Sequence, residues 1–103
     1  AQHGFRHWVS IHDEYGDGYR ADRDASRRSD YHHYLLAQGI RPREDGSFHR
    51  RTLATLPLEH SRSKFVERAA LAFLDRVGRD EPFVLFASFF EPHTPHTGPF
   101  NDL

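Results

Sequence analysis

The histidines near the carboxyl end of the chain are the side chains best placed to do chemistry. His93 lies between Pro92 and Pro95, and His96 follows three positions after His93. Prolines restrict the backbone around His93, so its imidazole can be held at a low entropic cost. An imidazole can donate a hydrogen bond to an anionic ester oxygen and can supply a proton. A histidine that only bonds backbone groups in a proline-rich turn is the structural alternative.

His96 could form a metal-binding pair with His93, but the local sequence does not favour this. Pro95 lies inside the pair, no helix aligns the two rings, and no third ligand follows at an obvious spacing. We therefore interpret His96 as a second substrate-binding residue rather than a metal ligand. The nine histidines of the chain are scattered, yet they leave a non-catalytic, His-rich metal-binding module as an alternative function.

An unbroken apolar run precedes these histidines. Residues 82–90 read PFVLFASFF, which is typical of a strand buried on both faces of a parallel sheet. Residues 91–100 contain several prolines and a glycine, so they predict a loop. In open α/β sheets, ligands bind beyond the carboxyl ends of the strands. The sequence therefore predicts a buried strand over residues 82–90 that presents a site loop over residues 91–100.

A helix is predicted over residues 61–78, before the apolar run. Ser63 is the expected N-cap, with Ser61 as the alternative, and Gly78 is the expected C-terminal cap. Glu67, Arg68 and Asp75 are predicted to face solvent. A helix followed by a buried strand predicts one half of an α/β layer. The apolar stripe of this helix comprises Phe65, Val66, Ala69, Ala70, Phe73, Leu74 and Val77.

Residues 1–60 are predicted to be mostly loops with one short helix. Ser29 is the expected N-cap of that helix, which should end before Gly39. Within it, His32 and His33 are interpreted as boundary or surface residues. Short strands or extended segments are also predicted over residues 8–11 and 48–56, and a loop is predicted over residues 12–19.

The last third of the chain resembles the sulfatases of the alkaline-phosphatase-like superfamily. The resemblance lies in residues 82–90, of the type Pro-Phe-x-Leu-Phe-x-Ser-Phe, and in residues 91–95, which read EPHTP. Residues 4–8 (GFRHW) are similar to the same family. The Cys- or Ser-x-Pro-x-Arg nucleophile motif of the family is absent. The resemblance implies an α/β sandwich, with a central, mostly parallel sheet covered by helices and residues 1–103 inside a single catalytic domain.

The resemblance also implies a function, namely hydrolysis of sulfate esters. His93 matches the family histidine that contacts the sulfate group of the substrate and could protonate the leaving oxygen, while an aromatic residue often replaces His96. The family uses a formylglycine nucleophile and a calcium ion. Both are expected outside this chain, which offers no nucleophile motif and no matching cage of oxygen ligands. We therefore expect an internal segment of a longer sulfuric ester hydrolase, inactive by itself. A phosphodiesterase or phosphonate hydrolase of the same superfamily is the alternative enzyme.

Composition limits the classes of partner. The 103 residues can form one small domain, and their formal net charge of -1 gives no reason to expect nucleic acid or an anionic membrane as a partner. Cysteine is absent, which excludes disulfides, thiolate metal sites and a cysteine nucleophile within these residues. The expected partner is a small-molecule or glycan sulfate ester. The cellular compartment stays open.

Overall fold

The computed structural model describes residues 4–11, 28–93 and 96–100. In this part of the chain there are three α-helices: α1 (Asp30–Ala37), α2 (Arg50–Ala54) and α3 (Arg62–Arg76). A 3-10 helix spans Leu58–His60. The chain divides into two compact units, Ala1–Arg50 and Arg51–Leu103. The loop predicted over residues 12–19 lies outside the described residues.

The predicted α/β sandwich is wrong. Across the described ranges there is no sheet, and only Phe5 carries a single β-bridge. Residues 82–90 form neither helix nor strand. Residues 82–89, predicted to be buried, are exposed, with Val84 at 73% and Phe86 at 75%, and Phe90 is half-buried. An apolar run becomes a buried strand only where other strands pair with it and further layers cover both its faces. The described residues supply neither.

Helix α1 has the predicted boundaries. The Ser29 hydroxyl accepts a hydrogen bond from the backbone N–H of His32 at 3.0 Å, and Gly39 has a φ of 82° just after the helix. His33 is exposed, but His32 is only 5% exposed, so the boundary or surface interpretation of His32 is wrong. The reason is tertiary: the His32 ring packs edge-on against Phe48 at 5.0 Å.

Residues 8–11 are hydrogen-bonded to the start of α1 and do not form the predicted strand. The backbone N–H of Ser10 donates to Asp30 Oδ2 at 2.8 Å, and its carbonyl accepts from the Tyr31 N–H at 3.1 Å. Asp30 also places a carboxylate in the first turn of α1, where the helix dipole favours negative charge. The backbone N–H and carbonyl of Ser10, which could pair with a neighbouring strand, are thus bonded to the first residues of α1 instead.

A tight polar turn precedes Phe48 in the first unit. The backbone N–H and the hydroxyl of Ser47 donate to Asp45 Oδ1 at 2.9 and 2.6 Å, and Arg43 donates to the Ser47 hydroxyl. The Ser47 side-chain hydrogen bond is the largest cause of a lowered pKa at Asp45, followed by the Ser47 backbone N–H. Gly46 adopts a φ of 82°, which an L side chain rarely adopts.

The segment over residues 48–56, predicted to be a strand or extended, instead contains α2. Leu53 and Leu56 are spaced three apart and are both buried. The Thr55 hydroxyl donates to the Arg51 carbonyl at 3.0 Å at the end of the helix. The extended prediction for this segment is therefore wrong over residues 50–54, which form a helix that buries Leu53.

Helix α3 begins at Arg62, one residue after the start of the predicted range 61–78, and its N-cap is Ser61 rather than Ser63. The Ser61 hydroxyl accepts from the Lys64 N–H at 3.2 Å, so the alternative cap is confirmed and Ser63 is wrong. The helix ends at Arg76, and Val77 rather than Gly78 is its C-cap.

The apolar stripe of α3 is only partly buried, and Leu74 is exposed. Part of its cover comes from Phe83, whose ring lies 5.5 Å from that of Phe73. The three polar residues predicted on the opposite face, Glu67, Arg68 and Asp75, are exposed as expected. Among the described residues, no helix has the length and apolar character needed to cross a membrane.

Candidate functional site

His93 closes a short turn over residues 90–93. Its backbone N–H donates to the Phe90 carbonyl at 3.2 Å. The imidazole ring lies 4.6 Å from the Phe90 ring, with 37° between the two planes, and His93 is exposed. The predicted site residue therefore has a defined aromatic neighbour and an open side.

The turn is attached to the first residues of α3. The Arg62 guanidinium lies over the Phe90 ring at 4.2 Å, and its Nε is 3.5 Å from Glu91 Oε1. The Ser63 hydroxyl donates to Glu91 Oε2 at 2.9 Å. Both carboxylate oxygens of Glu91 thus contact the helix N-terminus, where the helix dipole favours negative charge. Two successive residues of α3 hold the two residues at the start of the turn.

Burial distinguishes Arg62 from the rest of α3. Its side chain is only 4% exposed, and it is the one residue of this helix that is buried. Withdrawing a cation from water is costly unless anionic or aromatic groups replace the solvent. Glu91 and Phe90 provide both kinds of contact. We call Arg62, Ser63, Phe90, Glu91 and His93 the turn cluster.

The turn cluster can present a hydrogen-bond donor to an anion. Arg62 and Glu91 pair with each other, so their charges largely offset one another. His93 lies beyond this pair, on the exposed side of the turn, and an imidazole N–H can donate to an ester or sulfate oxygen. The arrangement suits binding or protonation of an oxygen and does not itself contain a nucleophile.

His96 lies in the separate described stretch of residues 96–100 and is exposed. It is not among the residues shown to contact the turn cluster. Thr94 and Pro95, which connect the two histidines, lie outside the described residues. The substrate-binding role of His96 stays a prediction.

The described residues do not fit a calcium site. They include no group of three or more His, Asp or Glu side chains placed to hold a metal ion. A calcium cage needs several oxygen ligands around one point. Nothing in these residues supports a bound calcium ion or a formylglycine, and the expectation that both lie outside this chain stays a prediction.

Sequence reasoning missed Arg62 and assigned Ser63 to the wrong role. One signal was available, because α3 has no acidic residue in its first turn and begins with an arginine. A cation at a helix N-terminus is unfavourable unless an anion from elsewhere approaches it. That pattern indicates an acidic partner distant in sequence, although it does not show that Glu91, 29 positions further along, is that partner.

Comparison with known proteins does not extend these observations. No protein-family model, curated protein or solved structure matches the chain, and nothing in these comparisons indicates a sulfatase. In the part of the chain that it describes, the structure has three α-helices and no sheet. Its most distinctive feature is a histidine turn attached to a helix N-terminus.

Proposed function

We propose that the chain supplies the substrate-binding histidine of a sulfuric ester hydrolase. The observation that carries the proposal is the placement of His93, exposed at the end of a turn that two α3 side chains hold through Glu91. The resemblance of residues 82–95 to the sulfatase pattern supplies the choice of substrate. The proposal depends on this turn and motif and does not require a sheet.

The proposed chemistry places His93 at the sulfate ester oxygen. Cleavage of the S–O bond expels an alkoxide or a phenoxide, on which negative charge develops. A positioned N–H donor stabilises that charge and can transfer its proton to the leaving oxygen. His93 would perform this step, and His96 would contact the same substrate. The attacking group would come from residues other than these 103.

Binding to the 103-residue chain tests the first half of the proposal. We expect 4-nitrophenyl sulfate to shift the NMR signals of the His93 imidazole and of the neighbouring backbone amides in a saturable titration, and the amide signals report binding in the variants. His93→Ala should abolish saturable binding, whereas His49→Ala, which removes another exposed histidine, should leave it unchanged. Equal binding by the His93→Ala variant would contradict the assignment. A parallel titration with bis(4-nitrophenyl) phosphate separates the phosphodiesterase alternative, because preferential binding of the phosphodiester would overturn the choice of sulfate.

Turnover tests the second half, in the full-length enzyme that the proposal implies, with its nucleophile and metal intact. His93→Ala should lower turnover by about 10²-fold or more, the usual scale for one proton donor or anion-stabilising contact. The loss should be larger for esters with poor leaving groups, since these need most help at the departing oxygen. His96→Ala should have a much smaller effect. Unchanged kinetics for both variants on a good and a poor leaving group would show that His93 is only a structural turn residue.

A further inference from the structure

Arg62 occupies a position that is unfavourable for a cation unless contacts with distant residues compensate for it. It is the first residue of α3, where the positive end of the helix dipole lies, and its side chain is almost fully buried. Truncating it to a smaller side chain would leave the helix cap intact, because Ser61 caps α3. The burial of the Arg62 side chain is therefore explained by its contacts with residues 90 and 91 and not by the contacts that form the helix.

Those contacts lie directly next to His93 in space. The Arg62 guanidinium lies over the Phe90 ring, 4.2 Å from its centroid. The centroid of the His93 imidazole is 4.6 Å from that of the same Phe90 ring. The Arg62 Nε also approaches Glu91, which lies two residues before His93. A change in Arg62 thus reaches the imidazole along two routes, through an aromatic ring and through the backbone of the turn.

We propose that Arg62 is a positioning residue for His93, acting through Phe90 and Glu91. Resting on the proposed function, this assigns Arg62 the task of orienting the imidazole toward the ester oxygen without touching the substrate. Arginine suits the task because its flat guanidinium can lie over a ring while its edge meets a carboxylate. Lysine carries the charge but has no plane, so it can satisfy only one of these contacts well.

The experiment compares Arg62→Met and Arg62→Lys with a matched control, Arg68→Met, all in the 103-residue chain. Arg68 is an exposed arginine of the same helix, whose guanidinium donates to the Glu59 carbonyl at 3.0 Å. The His93 imidazole signals are assigned by their loss in His93→Ala. Cross-relaxation between the Phe90 and His93 rings then reports the orientation of the imidazole, and far-UV circular dichroism reports the helices.

We expect both Arg62 variants to shift the His93 ring signals and to weaken the Phe90–His93 cross-peaks, with Met more severe than Lys. Arg68→Met should change neither. Unchanged His93 signals in both Arg62 variants, with helix content preserved, would overturn the proposal. If Arg62→Met loses helix content, Arg62→Lys and Glu91→Gln decide, since each keeps a polar group of similar size. Unchanged signals in these two variants would likewise overturn it.

Kinetics of the full-length enzyme add a second readout. Arg62→Lys should lower kcat by about tenfold while KM changes less, because a donor misplaced by about 1 Å loses rate more than binding. The two proposals fail separately. Full activity of His93→Ala together with shifted imidazole signals in the Arg62 variants would reject the ester hydrolase and leave the positioning intact. Impaired His93→Ala together with unchanged signals and kinetics in the Arg62 variants would reject only the positioning role.

Discussion

The contrast between two phenylalanines offers a direct test of where the chain is packed. Phe48 is 3% exposed and contacts the His32 ring, whereas Phe86, in the apolar run predicted to be a buried strand, is 75% exposed. Removing a fully buried phenylalanine ring costs about 3–5 kcal/mol. Only about a quarter of Phe86 leaves water on folding, and full burial of such a side chain contributes about 1.5–3 kcal/mol. Phe86→Ala should therefore cost about 0.5 kcal/mol.

Urea unfolding of the 103-residue chain, followed by circular dichroism and by the NMR amide signals of α1, measures both effects. A small unit has only a few kcal/mol of stability to lose, so we expect Phe48→Ala to abolish or nearly abolish protection of the α1 amides. Phe86→Ala should leave those signals and the unfolding midpoint almost unchanged. It should also improve solubility, because exposed apolar runs promote association. A cost for Phe86→Ala equal to that for Phe48→Ala would refute the reasoning, since it would show that Phe86 is buried against other residues.

Two further predictions concern local hydrogen bonds. Because Asp45 has a pKa lowered below its ordinary value of 3.8, its bonds to Ser47 should persist above that value and be lost as the pH falls through the lowered pKa. The Ser47 amide shift reports this titration, and Ser47→Ala should raise the pKa of Asp45 toward its ordinary value; an unchanged pKa would contradict the assigned cause. Ser61→Ala should destabilise α3 by about 1 kcal/mol through loss of the N-cap, whereas Ser63→Ala should leave the helix stable and perturb the turn at Glu91. Amide exchange at the start of α3 compares them, and a larger loss of protection in Ser63→Ala would show that the cap is misassigned.

Helices with clear local signals were predictable from sequence. The cap at Ser29 and the glycine after α1 act within one turn of the chain, so neighbouring residues suffice to define that helix. The same holds for α3, where the periodic apolar stripe placed the helix correctly but left two candidate caps. Only the tertiary structure identifies Ser61 rather than Ser63 as the cap, because the Ser63 hydroxyl donates a hydrogen bond to Glu91, 28 positions further along the chain.

The candidate site was also only partly predictable from the sequence. The position of His93 in a proline-bounded turn was visible in the sequence, whereas its support by Arg62 and Phe90 was not. Stacking and ion pairing of this kind depend on which distant segments meet, and no local pattern reports that meeting.

The sequence by itself determined the location of α1, with its Ser29 cap, the location of α3 and the location of the histidine turn, because these depend on interactions between near neighbours. Only the tertiary structure decided the state of residues 82–90 and the burial of His32. An apolar run has the side chains of a buried strand, but strand formation needs hydrogen-bonding partners and cover from elsewhere. His32 is buried because Phe48 comes to lie against it. In both cases, burial depends on whether the fold places residues distant in sequence against the segment.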